Sequence, residues 1–282
     1  MKSNIYVSSI AFSNSSIKDI INICEENKFN LEFSSGLPYK EDMDLIYLNS
    51  KLKRMVHNYF PAPKTPFVIN LASEDKLIRQ KSIDHCKKCI ALTKKSEAPF
   101  FAVHAGFCID PDPLELGKII DVKSNYNKEV NKYFFLESIR DILSFAEDFQ
   151  VKILIENNVI APFNYENQGN FLLCTSYDEI KWFFETIDNK NIGLLLDTAH
   201  LKVSCKTLGL NLNKEFEKIK PYIKAFHHSD NDGTVDNNMK LTLDYWFLEY
   251  IEEFKEYIHV LEVKDLKELE IIEQLKFIEV NE

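Results

Sequence analysis

The chain has 282 residues and a formal net charge of −10, and 45% of its residues are hydrophobic. This composition is typical of a globular protein with a large buried core. The negative charge disfavours nonspecific attraction to phosphate backbones, and no apolar run approaches the roughly 20 residues that a membrane-spanning helix requires. With only 7 glycines and 9 prolines, no flexible linker stands out, so we expect one domain over residues 1–282.

The amino-terminal segment MKSNIYVSSIAFSNSS has one lysine and no apolar stretch ahead of a cleavage site, so no signal peptide is predicted. Six scattered cysteines without such a signal predict reduced thiols and a cytoplasmic protein. Cys86 and Cys89 form a C-x-x-C motif, which can be a redox pair or half of a zinc knuckle. Because the sequence has no second motif of this kind, we favour two neighbours on one helix face.

Strand-like and helix-like segments alternate along the whole chain. The predicted strands cover residues 4–11, 30–34, 66–71, 100–104, 152–155, 193–196, 223–226 and 258–263. The predicted helices cover residues 17–29, 39–59, 73–95, 128–149, 176–186, 213–218, 243–256 and 266–277. Two long loops, 107–124 and 157–175, follow the fourth and fifth strands.

Several of these strands are continuous apolar runs, among them FVINL, FFAV, KILI and GLLL. Such runs are typical of parallel strands that are buried on both faces by helices. Eight units of this kind predict an α/β fold, a single (β/α)8 TIM barrel. A doubly wound open sheet is the competing architecture, but the glycine-rich phosphate loop that it usually carries is missing from the sequence.

Ionisable residues stand where the predicted strands end, which is the end of a barrel that carries the chemistry. Glu156, Asp197, His227 and Glu262 end strands five to eight and are spaced 41, 30 and 35 residues apart, about one strand–helix unit each. Other ionisable side chains at this end are Glu32, His104, and His200 one turn after strand six. We therefore expect the first four to converge at the barrel mouth.

Three buried carboxylates repel one another and resist ionisation unless a cation neutralises them. For Glu156 and Glu262, which lie in the apolar runs ILIEN and HVLEV, burial without a partner would be costly. Three carboxylates and one imidazole predict one divalent ion, Mn²⁺ before Mg²⁺ or Co²⁺, with Zn²⁺ less favoured because it takes fewer ligands. His57 and His259 receive no role, and alternation turns His228 away from the interior.

The segments FAVHAG, ILIEN, LLLDTAH, AFHHSDNDG and VLEVK resemble the xylose isomerase-like barrel superfamily. That group includes sugar and sugar-phosphate isomerases and epimerases, inosose and 3-dehydroshikimate dehydratases, and endonuclease IV. The resemblance implies a shared metal on Glu156, Asp197, His227 and Glu262. It also implies that His200 contacts the substrate or a second metal, and that His104 is the histidine after strand four.

The chain departs from the endonuclease IV pattern, which binds three zinc ions. One histidine of that pattern would fall at Lys64, and another would fall at Asn238 in the segment Asp236-Asn237-Asn238. The resemblance therefore implies that both outer metals lose a ligand, while the central four-residue site is complete. This favours a one-metal carbohydrate enzyme over a trinuclear phosphodiesterase.

The leading hypothesis is a metal-dependent isomerase or epimerase that converts a small sugar, sugar phosphate or related polyol-ketone through an enediolate. Glu156 and Glu262 would move the proton, and His200, His104, Lys64 and Glu32 are the candidates for substrate contact. The alternatives are an endonuclease IV-like phosphodiesterase on abasic DNA, a dehydratase on the same site, and a catalytically silent barrel. We expect a small-molecule substrate, no nucleic-acid or membrane partner, and leave a homo-oligomer open.

Overall fold

Eight short parallel strands form one sheet in the computed structural model, which describes residues 4–12, 15–122 and 125–279. The strands are β1 (Ile5–Ser8), β2 (Leu31–Phe33), β3 (Arg54–Val56), β4 (Phe101–His104), β5 (Ile153–Glu156), β6 (Ile192–Asp197), β7 (Ile223–His228) and β8 (Ile258–Leu261). Their order in the sheet is β3-β2-β1-β8-β7-β6-β5-β4, so every hydrogen-bonded pair except β1–β8 joins strands that are consecutive in the chain.

The two ends of this sheet meet and close a barrel. His57 and Ala102 form a parallel bridge between the end of β3 and β4, and the Asn58 N–H donates to the Ala102 carbonyl at 2.8 Å. The predicted (β/α)8 TIM barrel is therefore confirmed. No helix among the described residues is long and apolar enough to cross a membrane.

Helices surround the barrel and connect its strands. They are α1 (Ile17–Asn27), α2 (Met43–Asn49), α3 (Lys76–Ser96), α4 (Lys128–Phe149), α5 (Pro162–Gln168), α6 (Tyr177–Ile187), α7 (Thr198–Leu208), α8 (Leu212–Ile219) and α9 (Glu268–Leu275). The two longest begin at side-chain caps, since Asp75 accepts from the first N–H groups of α3 and Asn127 does the same for α4. Cys86 and Cys89 lie buried on α3 with free thiols, which confirms the helix-face interpretation.

The third predicted strand is wrong. The observed β3 is Arg54–Val56, inside the segment 39–59 that was predicted as a helix, of which only α2 is helical. Residues 66–71 have no regular structure. Three residues are too few to show a strand period, and the run 66–71 is apolar for a different reason: residues 66–69 line a cavity.

Other element bounds differ less. Residues 243–256 form turns and one short 3₁₀ segment, Leu248–Tyr250, instead of a helix, and the loop 157–175 contains α5. The first strand is shorter than predicted because a 3₁₀ turn, Ser9–Phe12, replaces its end. Residues 123–124 of the long loop, and residues 1–3 and 13–14 of the amino-terminal segment, lie outside the described residues.

An apolar layer inside the barrel supports the rim above it. Its buried residues form one cluster: Tyr6, Met55, Phe100, Ala102, Leu154, Leu195, Ala225 and Val260. In a strand, side chains two positions apart point to the same face. The residue two positions after an inward-facing apolar one therefore also points inward, one level closer to the carboxyl end.

Candidate metal centre

The rim of the barrel is lined by polar side chains because of this two-residue step. Met55 is followed by His57, Leu154 by Glu156, and Val260 by Glu262. The same step places Ser8, His104, Asp197 and His227 above the layer. Glu32 joins the rim beside Ser8, with which it pairs in the sheet. Nearly all of these side chains are buried, so their charges must be balanced within the site.

A central cluster combines Glu156, Asp197, His227 and Glu262. Each offers a ligand atom, and these atoms all lie within 4.8 Å of one another. The imidazole Nδ1 of His227 lies 2.8 Å from Glu262 Oε2 and 3.5 Å from Glu156 Oε1. The sequence analysis predicted these four residues as one metal site, and the structure brings them together at one point of the rim.

The unsatisfied oxygens of the central cluster test whether a cation fits there. Glu156 Oε1 and Asp197 Oδ2 are buried and have no hydrogen-bond partner. A buried carboxylate oxygen without a partner costs free energy. A divalent ion held by both residues would satisfy these oxygens and neutralise the surrounding carboxylates, so the donor set fits a metal.

A second cluster shares Glu156 with the first. His57 Nε2 lies 2.6 Å and His104 Nε2 3.4 Å from Glu156 Oε2, and the three residues form another group with metal-ligand geometry. The prediction that His57 lies in a helix is wrong, because this residue directly follows β3. The short sequence RMVH could have indicated His57, because a histidine there directly follows two apolar residues.

Lys64 therefore marks no lost ligand. Its side chain is exposed and lies outside the wall of the cavity described below, and the imidazole expected near the third strand is supplied by His57. The expectation that both outer groups are incomplete is wrong for the group on the side of β3. Both differences arise because β3 lies at Arg54–Val56, earlier in the chain than the predicted strand 66–71.

His200 and Asp236 form a polar pair on the other side of the central cluster. The Nε2 atom of His200 lies 3.2 Å from Asp236 Oδ2, while its Nδ1–H donates to the Asn157 carbonyl at 2.8 Å. Asn238, where the resemblance implied a lost histidine, is buried and its amide contacts the Ser229 hydroxyl at 3.5 Å. This side thus offers one imidazole and one carboxylate close to the centre.

Glu32 lies behind His227. Its Oε2 is 3.0 Å from His227 Nε2, so the imidazole is held between Glu32 and Glu262. Glu32 is 1% exposed and does not line the cavity. A carboxylate on the far nitrogen of a metal-binding imidazole fixes the orientation of the ring.

Burial and mutual attraction set the charges of this site. Burial opposes ionisation of Glu262, but the facing His227 imidazolium holds its pKa at about 2. Burial also acts against the charged form of Glu156, yet His104, His57 and His227 keep its pKa well below the usual value. Burial raises the pKa of Asp197 to about 8, helped by Glu262 and opposed by His200. Both glutamates are therefore ionised at neutral pH, as metal ligands must be.

His228 confirms the strand alternation. Its ring points away from the interior and lies 2.8 Å from both the Tyr245 hydroxyl and His259 Nδ1. Burial lowers the pKa of His259 to about 4, and His228 is likewise held neutral because burial and the neighbouring histidines disfavour its charged form. This pair stacks with Phe226 between barrel and helices and takes no part in the rim.

A cavity of about 460 Å³ opens next to the clusters. His104, His200 and Asp236 lie in its wall next to the clusters, and the loops after β3, β4 and β5 form most of the rest. The central four residues lie behind this part of the wall, since His104 and His200 approach the Glu156 carboxylate to 3.4 and 3.8 Å. The size is within the usual range of small-molecule sites, about 300–1,000 Å³.

A protein-family model described as xylose isomerase-like TIM barrel matches residues 11–274 of the chain. Among curated proteins, an uncharacterized protein of Methanocaldococcus jannaschii is 26% identical over 174 residues, which are 61% of this chain and 55% of that protein. A Thermoplasma acidophilum protein described as probable endonuclease 4 is 29% identical over 169 residues, 58% of this chain and 50% of the relative. The chain thus spans about half the length of the curated relatives it matches.

Two solved structures share the fold over nearly the whole chain. A D-tagatose 3-epimerase-like protein superposes with a TM-score of 0.72 at 20% identity and covers 98% of both chains. A D-psicose 3-epimerase from Clostridium cellulolyticum H10, solved with D-tagatose, has a TM-score of 0.65 at 16% identity and covers 94% of this chain and 86% of its own. At these identities the likeness establishes the architecture only.

Proposed function

The chain belongs to the xylose isomerase-like TIM barrel family, and we propose that it is a divalent-metal-dependent isomerase or epimerase. Its substrate would be a small sugar, a sugar phosphate or a related polyol-ketone, converted through an enediolate. The observation that carries this proposal is the metal-ligand cluster that contains both Glu156 and Glu262, beside a cavity of about 460 Å³.

The strand order supports a proton transfer on two faces of the substrate. Glu156 ends β5 and Glu262 follows β8, so Asp197 and His227 lie between them along the sheet. One glutamate would remove the proton from the carbon next to the carbonyl, and the other would return a proton from the opposite side. With a single glutamate acting in both steps, the same site would interconvert an aldose and a ketose.

The four central residues would hold the ion, and His200 would assist the substrate. A divalent ion supplies Lewis-acid polarisation of a carbonyl oxygen. Three carboxylates and one imidazole favour Mn²⁺, with Mg²⁺, Co²⁺ and Zn²⁺ as the other candidates. His200 lies at the wall of the cavity, and its Nε2 faces Asp236, which places a hydrogen-bonding group where a substrate oxygen would approach.

One observation favours a second candidate, an endonuclease IV-like phosphodiesterase. The His57–His104–Glu156 cluster adjoins the central one through a shared carboxylate, and paired metals are typical of phosphodiester cleavage. Two curated relatives carry the description probable endonuclease 4. The net charge of −10 and the mostly apolar cavity speak against a nucleic-acid substrate, so this candidate ranks second.

The test combines a metal count with solvent-proton exchange. Purified protein is loaded with Mn²⁺, its metal content per chain is measured, and small hydroxyketones are incubated with it in D₂O. We expect deuterium at the carbon next to the carbonyl and a loss of about 10²- to 10⁴-fold in the Glu262→Gln variant. The exposed Glu273→Gln is the matched control and should behave like the wild type.

The outcome separates the candidates. Exchange without cleavage of abasic DNA supports the isomerase. Cleavage of abasic DNA with two or more bound ions per chain and no exchange would replace it with the phosphodiesterase. Wild-type exchange in Glu262→Gln would remove this residue from the proton transfer.

A further inference from the structure

The wall of the cavity next to the clusters is mostly apolar. We infer that the substrate has two unlike parts: a hydroxy-carbonyl head at the metal end and an apolar aryl or alkyl group that fills the rest of the cavity. The inference rests on the proposed function for the head and on the wall of the cavity for the apolar group.

The two histidines and the one carboxylate of the wall lie near the clusters. The carboxamide oxygen of Asn58 is buried without a hydrogen-bond partner, directly after His57. His104, His200 and Asp236 share this end of the cavity. These groups can bind two or three oxygens, which matches a carbonyl with an adjacent hydroxyl.

Polar side chains farther along the wall are already engaged. The amide of Asn158 donates to the carbonyls of Ala105, Gly106 and Leu173. The side chain of Asn164 accepts from Ile120 N–H and donates to the Lys118 carbonyl. A sugar hydroxyl that took a hydrogen bond from either of these amides would have to break an existing one, which costs free energy.

The remaining wall is apolar and only partly packed. Its apolar residues include Phe67, Ile69, Phe107, Leu116, Ile120 and Phe163. Phe163 and Leu116 line the cavity but do not belong to the packed hydrophobic core of the described residues. Their surfaces are therefore available to a ligand, which would gain the free energy of apolar burial.

Charge in the wall also disfavours a phosphate group. Lys118 is the single lysine or arginine along the wall, within the described part of the chain, and its side chain is exposed. Phosphate sites usually combine several donors, either Arg and Lys side chains or a helix amino terminus. Among sugar-like substrates, the wall thus favours one with an apolar substituent over a phosphorylated one.

The wall is fixed before a ligand arrives. Gln168 on α5 accepts from Val122 N–H and donates to the Ile120 carbonyl, and Asn164 of the same helix holds residues 118 and 120. These bonds pin the loop after β4 to the loop after β5. The apolar end therefore keeps its shape, and its selectivity can be measured with unmodified protein.

Three matched hydroxyketones test the inference with Mn²⁺-loaded protein. The probes are 1-hydroxybutan-2-one, the polyol L-erythrulose and 1-hydroxy-4-phenylbutan-2-one, which share the head and differ in the tail. Binding is measured by calorimetry, and exchange in D₂O is followed in parallel. We expect the phenyl compound to bind roughly 10- to 100-fold more tightly than the short ketone.

Two wall variants locate the effect. Phe163→Ala should weaken binding of the phenyl compound about 10-fold and leave the short ketone unchanged. Tyr165→Ala, on the same helix but outside the wall, is the matched control. Leu116→Ser is a second test at a residue that is 45% exposed, so that its replacement leaves the core intact.

The inference is overturned if L-erythrulose binds as tightly as the phenyl compound, if the phenyl group gives no gain over the short ketone, or if both wall variants bind it like the wild type. Exchange is scored separately. A strong preference for the phenyl compound without any exchange would leave the cavity assignment standing and remove the proposed isomerase reaction.

Discussion

The rim of the barrel and the wall of the cavity are built on different principles. Rim residues such as Glu156 and His227 end strands, and each has several buried partners. Wall residues such as Phe163 and Leu116 lie in connecting segments and pack weakly. The strands therefore position the ionisable residues of the site. The connecting segments, whose sequences can vary independently, determine which substrates fit.

The largest effect is expected where the two rim clusters meet. Glu156→Gln removes the one carboxylate that both clusters share, so ion binding should weaken at both and turnover should fall roughly 10³-fold or more. Bound metal is counted by elemental analysis, and far-ultraviolet circular dichroism checks the fold. A variant with full metal content and activity would show that the rim does not depend on this residue.

A smaller effect is expected behind the rim. Glu32→Gln keeps the size of the side chain but removes the charge that faces His227 Nε2. Loss of such an outer carboxylate typically lowers metal affinity about 10- to 100-fold, which a Mn²⁺ titration measures. If the affinity of Glu32→Gln equals that of the wild type, the orientation of His227 does not rely on Glu32.

A third effect, on stability instead of metal binding, concerns a buried histidine outside both regions. The pKa of His259 is about 4, below the unfolded value near 6.5, so the unfolded chain binds more protons between these limits. Stability is therefore retained above pH 6.5 and lost as the pH falls toward 4, by on the order of 3 kcal/mol.

His259→Gln tests this difference. Glutamine can keep the hydrogen bond to the Phe254 carbonyl but does not titrate. Denaturant unfolding at pH 7 and pH 5 should give a smaller loss of stability in this variant than in the wild type. Equal losses would place the acid sensitivity elsewhere, and a changed metal content at pH 7 would link this residue to the rim after all.

The central cluster could be predicted from the sequence because its glutamates interrupt continuous apolar runs. Glu156 and Glu262 stand out inside apolar runs, where a charged residue requires a partner. His57 was missed because β3 has three residues, too few to show a period, and the apolar run at 66–71 offered a better strand. The run 66–71 is apolar because residues 66–69 face the cavity. This tertiary arrangement cannot be read from a local sequence pattern.

The helix prediction at residues 243–256 failed for a similar reason. The apolar residues there have helical spacing, but the backbone mostly forms turns. Aromatic packing replaces helix periodicity there, since Phe247 and Phe254 both contact Phe226. The order of elements was recoverable from the sequence, while the strand that closes the barrel was not.

Closure of the barrel at β3 and β4 also has a consequence for motion. This seam is held by one bridge at His57 and by the Asn58 amide, and His57 also ties β3 to β5 through Glu156. This seam cannot open locally without breaking the buried contact between His57 and Glu156. Amide exchange at Asn58 therefore reports on the integrity of this contact, and a tightly bound ion there would slow it.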